Sequence, residues 1–203
     1  SGMEQHRVCV LGGGSFGSAI ARIIASSVAA KPAEFAAEVR LWVRREELAL
    51  EINTAHTNAQ YLAGAVFGAN LVATTDAAAA VAGATLVVVA VPHEFLEATL
   101  RPAVAAAVRP DAVVLSLVKS LHVEPSANLS LASSQIASLL GLADDDRLCV
   151  LMGPNLYKQM LDDDGFAEAT IGYDDDGSGR GRAGAALAAR ALAAPCFATR
   201  SVA

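Results

Sequence analysis

Positive charge is scarce in this chain. Fifteen lysines and arginines stand against 21 aspartates and glutamates, a net charge of -6. A phosphate backbone needs a basic face, so the charge argues against nucleic acid as the main partner, while a local basic pocket for a small phosphate stays open. Cysteine is equally sparse. Cys9, Cys149 and Cys196 lie far apart and no CxxC or Cys/His cluster joins them, so the sequence offers no metal-ligand set. The first two sit inside apolar runs and read as small buried hydrophobes of a reducing compartment. No uninterrupted apolar run reaches the roughly 18 residues of a membrane span, and no signal peptide is visible. Internal repeats are missing too. The one candidate linker, residues 174–182, is short enough to be an edge loop or hairpin. Ser1 and Gly2 before Met3 read as a tag remnant, leaving 3–203 as a single domain.

What is present is alternation. The 203 residues are 54% hydrophobic, with alanine supplying much of that. Alanine-rich helices against valine- and leucine-rich strands suit an α/β protein. "RVCVL", "EVRLWV", "LVAT", "TLVVVAV", "AVVLSLV", "LCVLM", "EATIGY" and "CFATRSV" read as strands. Between them, "SFGSAIARIIASSVAA", "REELALEIN", "AAAAVAG", "HEFLEATL", a piece begun by Pro102, "NLSLASSQIASLLG" and "AGAALAARALAA" read as helices. Asp76 is placed to cap one helix, and Gly141 to end another. The β-branched run "TLVVVAV" suits a central parallel strand buried on both faces. The expected fold class is α/β, a doubly wound, mostly parallel sheet with right-handed crossovers.

Behind the first strand stands "GGGSFG". Gly12, Gly14 and Gly17 fit G-x-G-x-x-G, a weak signal alone but here with a strand before it and a helix after it. Gly12 allows the tight turn, Gly14 lets the backbone approach a pyrophosphate, and Gly17 lets helix and strand pack closely. The helix N-terminus then offers unpaired N–H groups and a partial positive charge. The ribose end is less orderly. An NAD site carries Asp or Glu after the second strand, whereas here Arg44 and Arg45 come first and Glu46 and Glu47 after them. An arginine there stacks on adenine or pairs with a 2′-phosphate, so NAD is the expected cofactor with NADP left open.

Ligands in such sheets bind outside the carboxyl ends of the strands, where strand order reverses. "PHEF" follows the fourth strand, "KSLH" the fifth and "GPN" the sixth. Lys119 at that edge could hold a phosphate, polarise a carbonyl or neutralise an alkoxide, or simply be a surface lysine. His93 suits proton transfer, but its place after Pro92 suits helix capping better. His56 suits the ordering of a loop. Phe95 either packs on a cofactor or fills core.

With these residues together the chain resembles the N-terminal half of glycerol-3-phosphate dehydrogenase, nearer its eukaryotic branch, from about Arg7 to Val202. The resemblance rests on "VCVLGGGSFGSAIA", "LWV", "INTAHTNAQYLAG", "VVVAVPHEF" and "VLMGPN…EATIG". It implies a Rossmann-like domain and hydride transfer between NAD(H) and glycerol 3-phosphate or dihydroxyacetone phosphate. It further implies that Gly12, Gly13, Gly14, Ser15, Phe16 and Gly17 contact the pyrophosphate. Phe95 and Pro154 contact the cofactor, Arg44 lies beside the adenine ribose, and Lys119 meets cofactor and substrate. A cytoplasmic, homodimeric parent without membrane or nucleic-acid partners is also implied. Ser120 replaces the glycine that follows the family's lysine, Ala63 a proline, and Tyr157 and Gln159 fall where Ala-x-Glu is usual. The family's helical C-terminal domain, with its second, catalytic lysine, is not in this chain, so the fragment is expected to turn over little or nothing. Two alternatives stand beside this one: a stand-alone, non-catalytic dinucleotide-binding module, and a related dehydrogenase of the 6-phosphogluconate or β-hydroxyacid type. "HTNAQYL" speaks against the latter.

Overall fold

The structure, a computed structural model, describes residues 4–123, 129–142, 147–153, 160 and 166–203. Chain order begins with β1 (His6–Leu11), α1 (Ser15–Ala29), β2 (Phe35–Trp42), α2 (Glu46–Ala55), β3 (Leu71–Thr74), α3 (Ala77–Val81) and β4 (Leu86–Val89). A 3-10 turn (His93–Phe95) leads into α4 (Leu96–Thr99) and α5 (Pro102–Ala107), then β5 (Val113–Ser116). β6 (Leu121–Val123), β7 (Leu129–Leu131), α6 (Ala132–Leu140), β8 (Leu148–Met152), β9 (Ala167–Tyr173), α7 (Arg180–Leu192) and β10 (Phe197–Val202) complete it.

Eight strands form one sheet in the order β10-β9-β8-β5-β4-β1-β2-β3. From β1 the chain steps outward through β2 to β3, then returns to the other flank of β1 for β4 and β5. Strand order therefore reverses between β1 and β4. There the pairing is parallel and in register, Val8 to Leu86 through Leu11 to Val89.

Each central strand feeds two cores because successive side chains point to opposite faces. Val8 and Val10 of β1, with Leu86 and Val88 of β4, pack with α1, α2 and α7. Cys9 and Leu11, with Val87 and Val89, pack with α3, α4, α5 and α6. Ile20 and Ile24 of α1 are wholly buried on the first face, and truncating either to alanine costs about 2–5 kcal/mol. Burial on both faces explains why "TLVVVAV" has no polar alternation. Local signals act as their chemistry dictates. Asp76 accepts the Ala79 N–H at 3.0 Å, worth about 1 kcal/mol as a cap. Pro102 opens α5, where its missing N–H costs nothing. Gly141 closes α6 in the left-handed region, φ 63°.

Several expectations are corrected. "NLSLASSQIASLLG" is not one helix. Leu-Ser-Leu alternates with a strand period, and Leu129–Leu131 pairs antiparallel with Leu121–Val123 before α6 begins. The Ala132 N–H bonds the Ser120 carbonyl across that junction. β8 meets β9 antiparallel, so the far edge of the sheet runs against the rest. β9 and β10 are joined by α7 and run parallel, as a crossover unit requires. α7 starts at Arg180, inside the stretch read as a loop. "HEFLEATL" is a 3-10 turn followed by a single α-turn. β2 reaches back to Phe35, which is fully buried. Cys9 and Cys149 are buried as expected, whereas Cys196 is half-buried.

Candidate functional site

The turn after β1 lies at the reversal of strand order and opens into a cleft of about 550 Å³. Its floor is Gly12, Gly13, Gly14, Ser15, Phe16 and Gly17. One wall follows β2: Trp42, Val43, Arg44, Arg45 and Leu48. The other follows β4: Ala90, Val91, Pro92 and Phe95, with Ala98 and Thr99 behind. Tyr61 reaches in from the loop after α2.

The glycines have different reasons to be glycine. Gly12 holds φ 120°, and a Cβ there would lie 2.9 Å from the Ala90 carbonyl. A Cβ at Gly17 would fall on the Gly12 carbonyl oxygen, so the turn closes on the helix only without a side chain. Gly14 differs from both. Its φ is -71°, any residue's backbone, and a Cβ would meet nothing within 4 Å. No steric demand of the protein itself requires glycine there. Gly14 is also the N-cap of α1 and makes no side-chain cap bond, so the first N–H groups of that helix remain available to a ligand. The positive end of the helix thus faces the cleft.

The turn is held from below by residues that the sequence reading passed over. Asn58, fully buried, donates through Nδ2 to the Gly13 carbonyl at 3.0 Å and to Ser18 Oγ at 2.9 Å. Ser18 Oγ donates to the same carbonyl at 3.0 Å. The signal was the polar Asn inside "HTNAQYL", in a loop where a buried amide must find partners.

No carboxylate lines the cleft among the described residues. Glu46 and Glu47 sit in the first turn of α2. The Arg44 guanidinium instead lies 5.8 Å from the Phe95 ring centre. Arg45 lies 5.9 Å from the Tyr61 ring centre and donates to Gln60 Oε1. Phe95 is 42% exposed, so it presents a ring to the cleft rather than filling core.

Lys119, three residues past the end of β5, stands beside the cleft rather than in its lining. Its Nζ donates to the Gly153 carbonyl at 2.6 Å and lies 5.3 Å from the Phe16 ring centre. Burial holds its proton affinity below the ordinary lysine value. Pro154, Tyr157 and Gln159 lie outside the described residues. His93 departs from its expected capping role: it makes no side-chain cap bond, and its Nδ1 lies 3.4 Å from Glu94 Oε2 at the surface. His56 takes a left-handed conformation at the end of α2, φ 54°, and its carbonyl accepts from the Phe67 N–H. It orders the loop through its backbone, while its buried Nδ1 has no protein partner. Among the described residues no group of three or more His, Cys, Asp or Glu is placed to hold a metal, and no helix is long and apolar enough to cross a membrane.

Comparison with known proteins agrees with this geometry. The family model described as NAD-dependent glycerol-3-phosphate dehydrogenase N-terminus matches residues 7–178. Glycerol-3-phosphate dehydrogenase (NAD(P)+) of Thermobifida fusca is 38% identical over 156 residues, 77% of this chain and 43% of its own length. The cytoplasmic glycerol-3-phosphate dehydrogenase (NAD(+)) of Pongo abelii is 34% identical over 183 residues, 88% of this chain and 50% of its own. The solved glycerol-3-phosphate dehydrogenase of Plasmodium falciparum superposes with a TM-score of 0.85 at 28% identity, covering 98% of this chain and 52% of that one. The chain thus spans about half the length of the relatives it matches.

Proposed function

The chain belongs to the NAD-dependent glycerol-3-phosphate dehydrogenase family, and from that premise we propose that it is the cofactor-holding half of such an enzyme. The observation that carries the reading is Gly14. At the strand reversal, next to an uncapped helix N-terminus, the one glycine of this turn that the fold does not need leaves room that a phosphate would fill. Gly12, Gly13, Gly14, Ser15, Phe16 and Gly17 hold the pyrophosphate with backbone N–H groups. Arg44 and Phe95 flank the adenine end, Arg44 stacking on the base or pairing with phosphate. The family resemblance assigns Pro154, outside the described residues, to the cofactor as well.

When bound, the nicotinamide supplies or accepts the hydride. The chain's own residues orient and shield. Phe16, itself in the phosphate turn, offers an apolar ring 5.3 Å from Lys119 Nζ. Lys119 turns a donor toward the substrate side, its charge partly desolvated and its direction fixed by the Gly153 carbonyl. A cation there favours a negatively charged oxygen at the reacting carbon. The substrate pair is glycerol 3-phosphate and dihydroxyacetone phosphate. Among the described residues no carboxylate lines the cleft, and Arg44 and Arg45 stand there instead, which leaves room for NADPH beside NADH. The parent is read as a cytoplasmic homodimer, supported by the cytoplasmic relative and the family resemblance.

Residues 1–203 alone are expected to show little or no turnover, because positioning of substrate supplies much of a hydride-transfer rate and the other half of the relatives' length is not here. Following NADH oxidation with dihydroxyacetone phosphate tests both statements. The whole protein that contains this chain should turn over, and residues 1–203 should not. Steady turnover by the short chain would refute the division of labour, and inactivity of the whole protein would refute the substrate.

A further inference from the structure

Asn58 lies outside the cleft, yet its contacts converge on the cleft's most demanding point. Gly13 gives its carbonyl to two donors at once, Asn58 Nδ2 and Ser18 Oγ, each at 3.0 Å. The second Asn58 hydrogen goes to Ser18 Oγ, and its Oδ1 accepts the Tyr61 N–H at 3.2 Å. Both side chains are fully buried. A trans peptide points its carbonyl and its N–H in opposite directions. With the Gly13 carbonyl pinned toward the protein, the Gly14 N–H must face the other way. Gly14 lines the cleft, so that N–H is aimed where a phosphate oxygen would sit.

The same loop reaches the other end of the site. Two residues after Asn58, Gln60 accepts from Arg45, and the next, Tyr61, lies under the Arg45 guanidinium. One short segment thus sets both the phosphate turn and the cation after β2.

We propose that Asn58 is the positioning residue of the dinucleotide turn, and that with Ser18 it fixes the Gly13–Gly14 peptide so that the site selects diphosphate-bearing ligands. This rests on the reading of the cleft as a dinucleotide site. Asn58 touches no ligand; it acts through Gly13.

Asn58→Asp separates this role from mere packing. The side chain keeps its size, but an ionised carboxylate has no donor for the Gly13 carbonyl and repels it. Burial raises the carboxyl's pKa, and the protonated form regains one donor. Trp42, the only tryptophan, lines the cleft and reports binding by its fluorescence. NADH and adenosine are titrated into wild type and Asn58→Asp between about pH 5 and pH 8, a range that brackets a raised carboxyl pKa. The variant should lose about tenfold or more in NADH affinity at the upper pH, one bond of about 1.4 kcal/mol, and recover most of it at the lower. Its affinity for adenosine, which carries no phosphate, should match wild type throughout. Ser18→Ala, which removes only one of the two donors, should lose less for NADH and nothing for adenosine, and it carries the test if Asn58→Asp does not fold. Equal losses for both ligands, or unchanged NADH binding by the variants, would overturn the proposal while leaving the dinucleotide site standing. Failure of wild type to bind NADH would overturn the site itself, and this inference with it.

Discussion

The Arg44 guanidinium stands 5.8 Å from the centre of the Phe95 ring, joining the chain after β2 to the chain after β4 over the turn that follows β1. The pair puts a cation into the cleft after β2, where an NAD site carries a carboxylate. An exposed cation–π contact of this kind is worth about 0.5–1 kcal/mol, little enough for a base to displace.

The arginines should therefore govern the choice between cofactors. Replacing Arg44 and Arg45 together by alanine is expected to weaken NADPH about tenfold or more, the loss of a charge-assisted bond of roughly 1.5–3 kcal/mol. NADH should weaken less. Paired titrations followed by Trp42 fluorescence give the ratio. A ratio unmoved by the double substitution would show that neither arginine meets a 2′-phosphate.

Two glycine substitutions should part company. Gly14→Ala puts its methyl into open space on an ordinary backbone, so the protein should fold as well as before or gain about 0.4–1 kcal/mol. Its affinity for NADH should nonetheless fall sharply, because the methyl occupies the phosphate's room. Gly17→Ala drives a Cβ into the Gly12 carbonyl and should lower the melting temperature as well. Thermal unfolding and NADH titration of the same two proteins check this. Gly14→Ala binding NADH like wild type would place the ligand elsewhere.

How far this arrangement can be read from the sequence varies along the chain. The glycine turn was legible because G-x-G-x-x-G stands between an apolar strand run and a helical pattern, and β1 and β4 because burial on both faces writes an unbroken apolar run. Asp76, Pro102 and Gly141 act within a turn of their own positions. Asn58 was not legible as a support for Gly13, since the contact spans 45 residues and depends on how α2 returns its loop to β1. The β6–β7 hairpin was hidden for a different reason. Three residues of alternation lie directly against a helical pattern, and only pairing with Leu121–Val123 decides between them. The reversal of β9 carries no local signal at all, because strand direction is set by the partner.

Lys119 should make cofactor binding sensitive to alkaline pH earlier than an ordinary lysine would. Burial penalises its charged form, so its folded pKa is lowered, and the cation is present below that pKa and lost as pH rises through it. NADH affinity measured from about pH 8 upward should decline with a midpoint below the ordinary lysine value of about 10.4. Lys119→Arg should remove the decline. A wild-type midpoint at or above the ordinary value would contradict the desolvated placement.

The cysteines should divide by burial. The Cys9 and Cys149 thiols are each pushed up to about 12 by burial, so almost no thiolate exists near neutral pH. A disulfide reagent should modify Cys196 first, and the other two only at the rate of global unfolding. Rapid reaction of all three would contradict the packing of β1 and β8.

The most direct test is a calorimetric titration of residues 1–203 with NADH, with NADPH in parallel. Saturable, one-to-one binding of at least one of them by this chain on its own is expected, since turn, helix N-terminus and both cleft walls all lie within it. Binding of neither would contradict the claim that the glycine turn is a complete dinucleotide site.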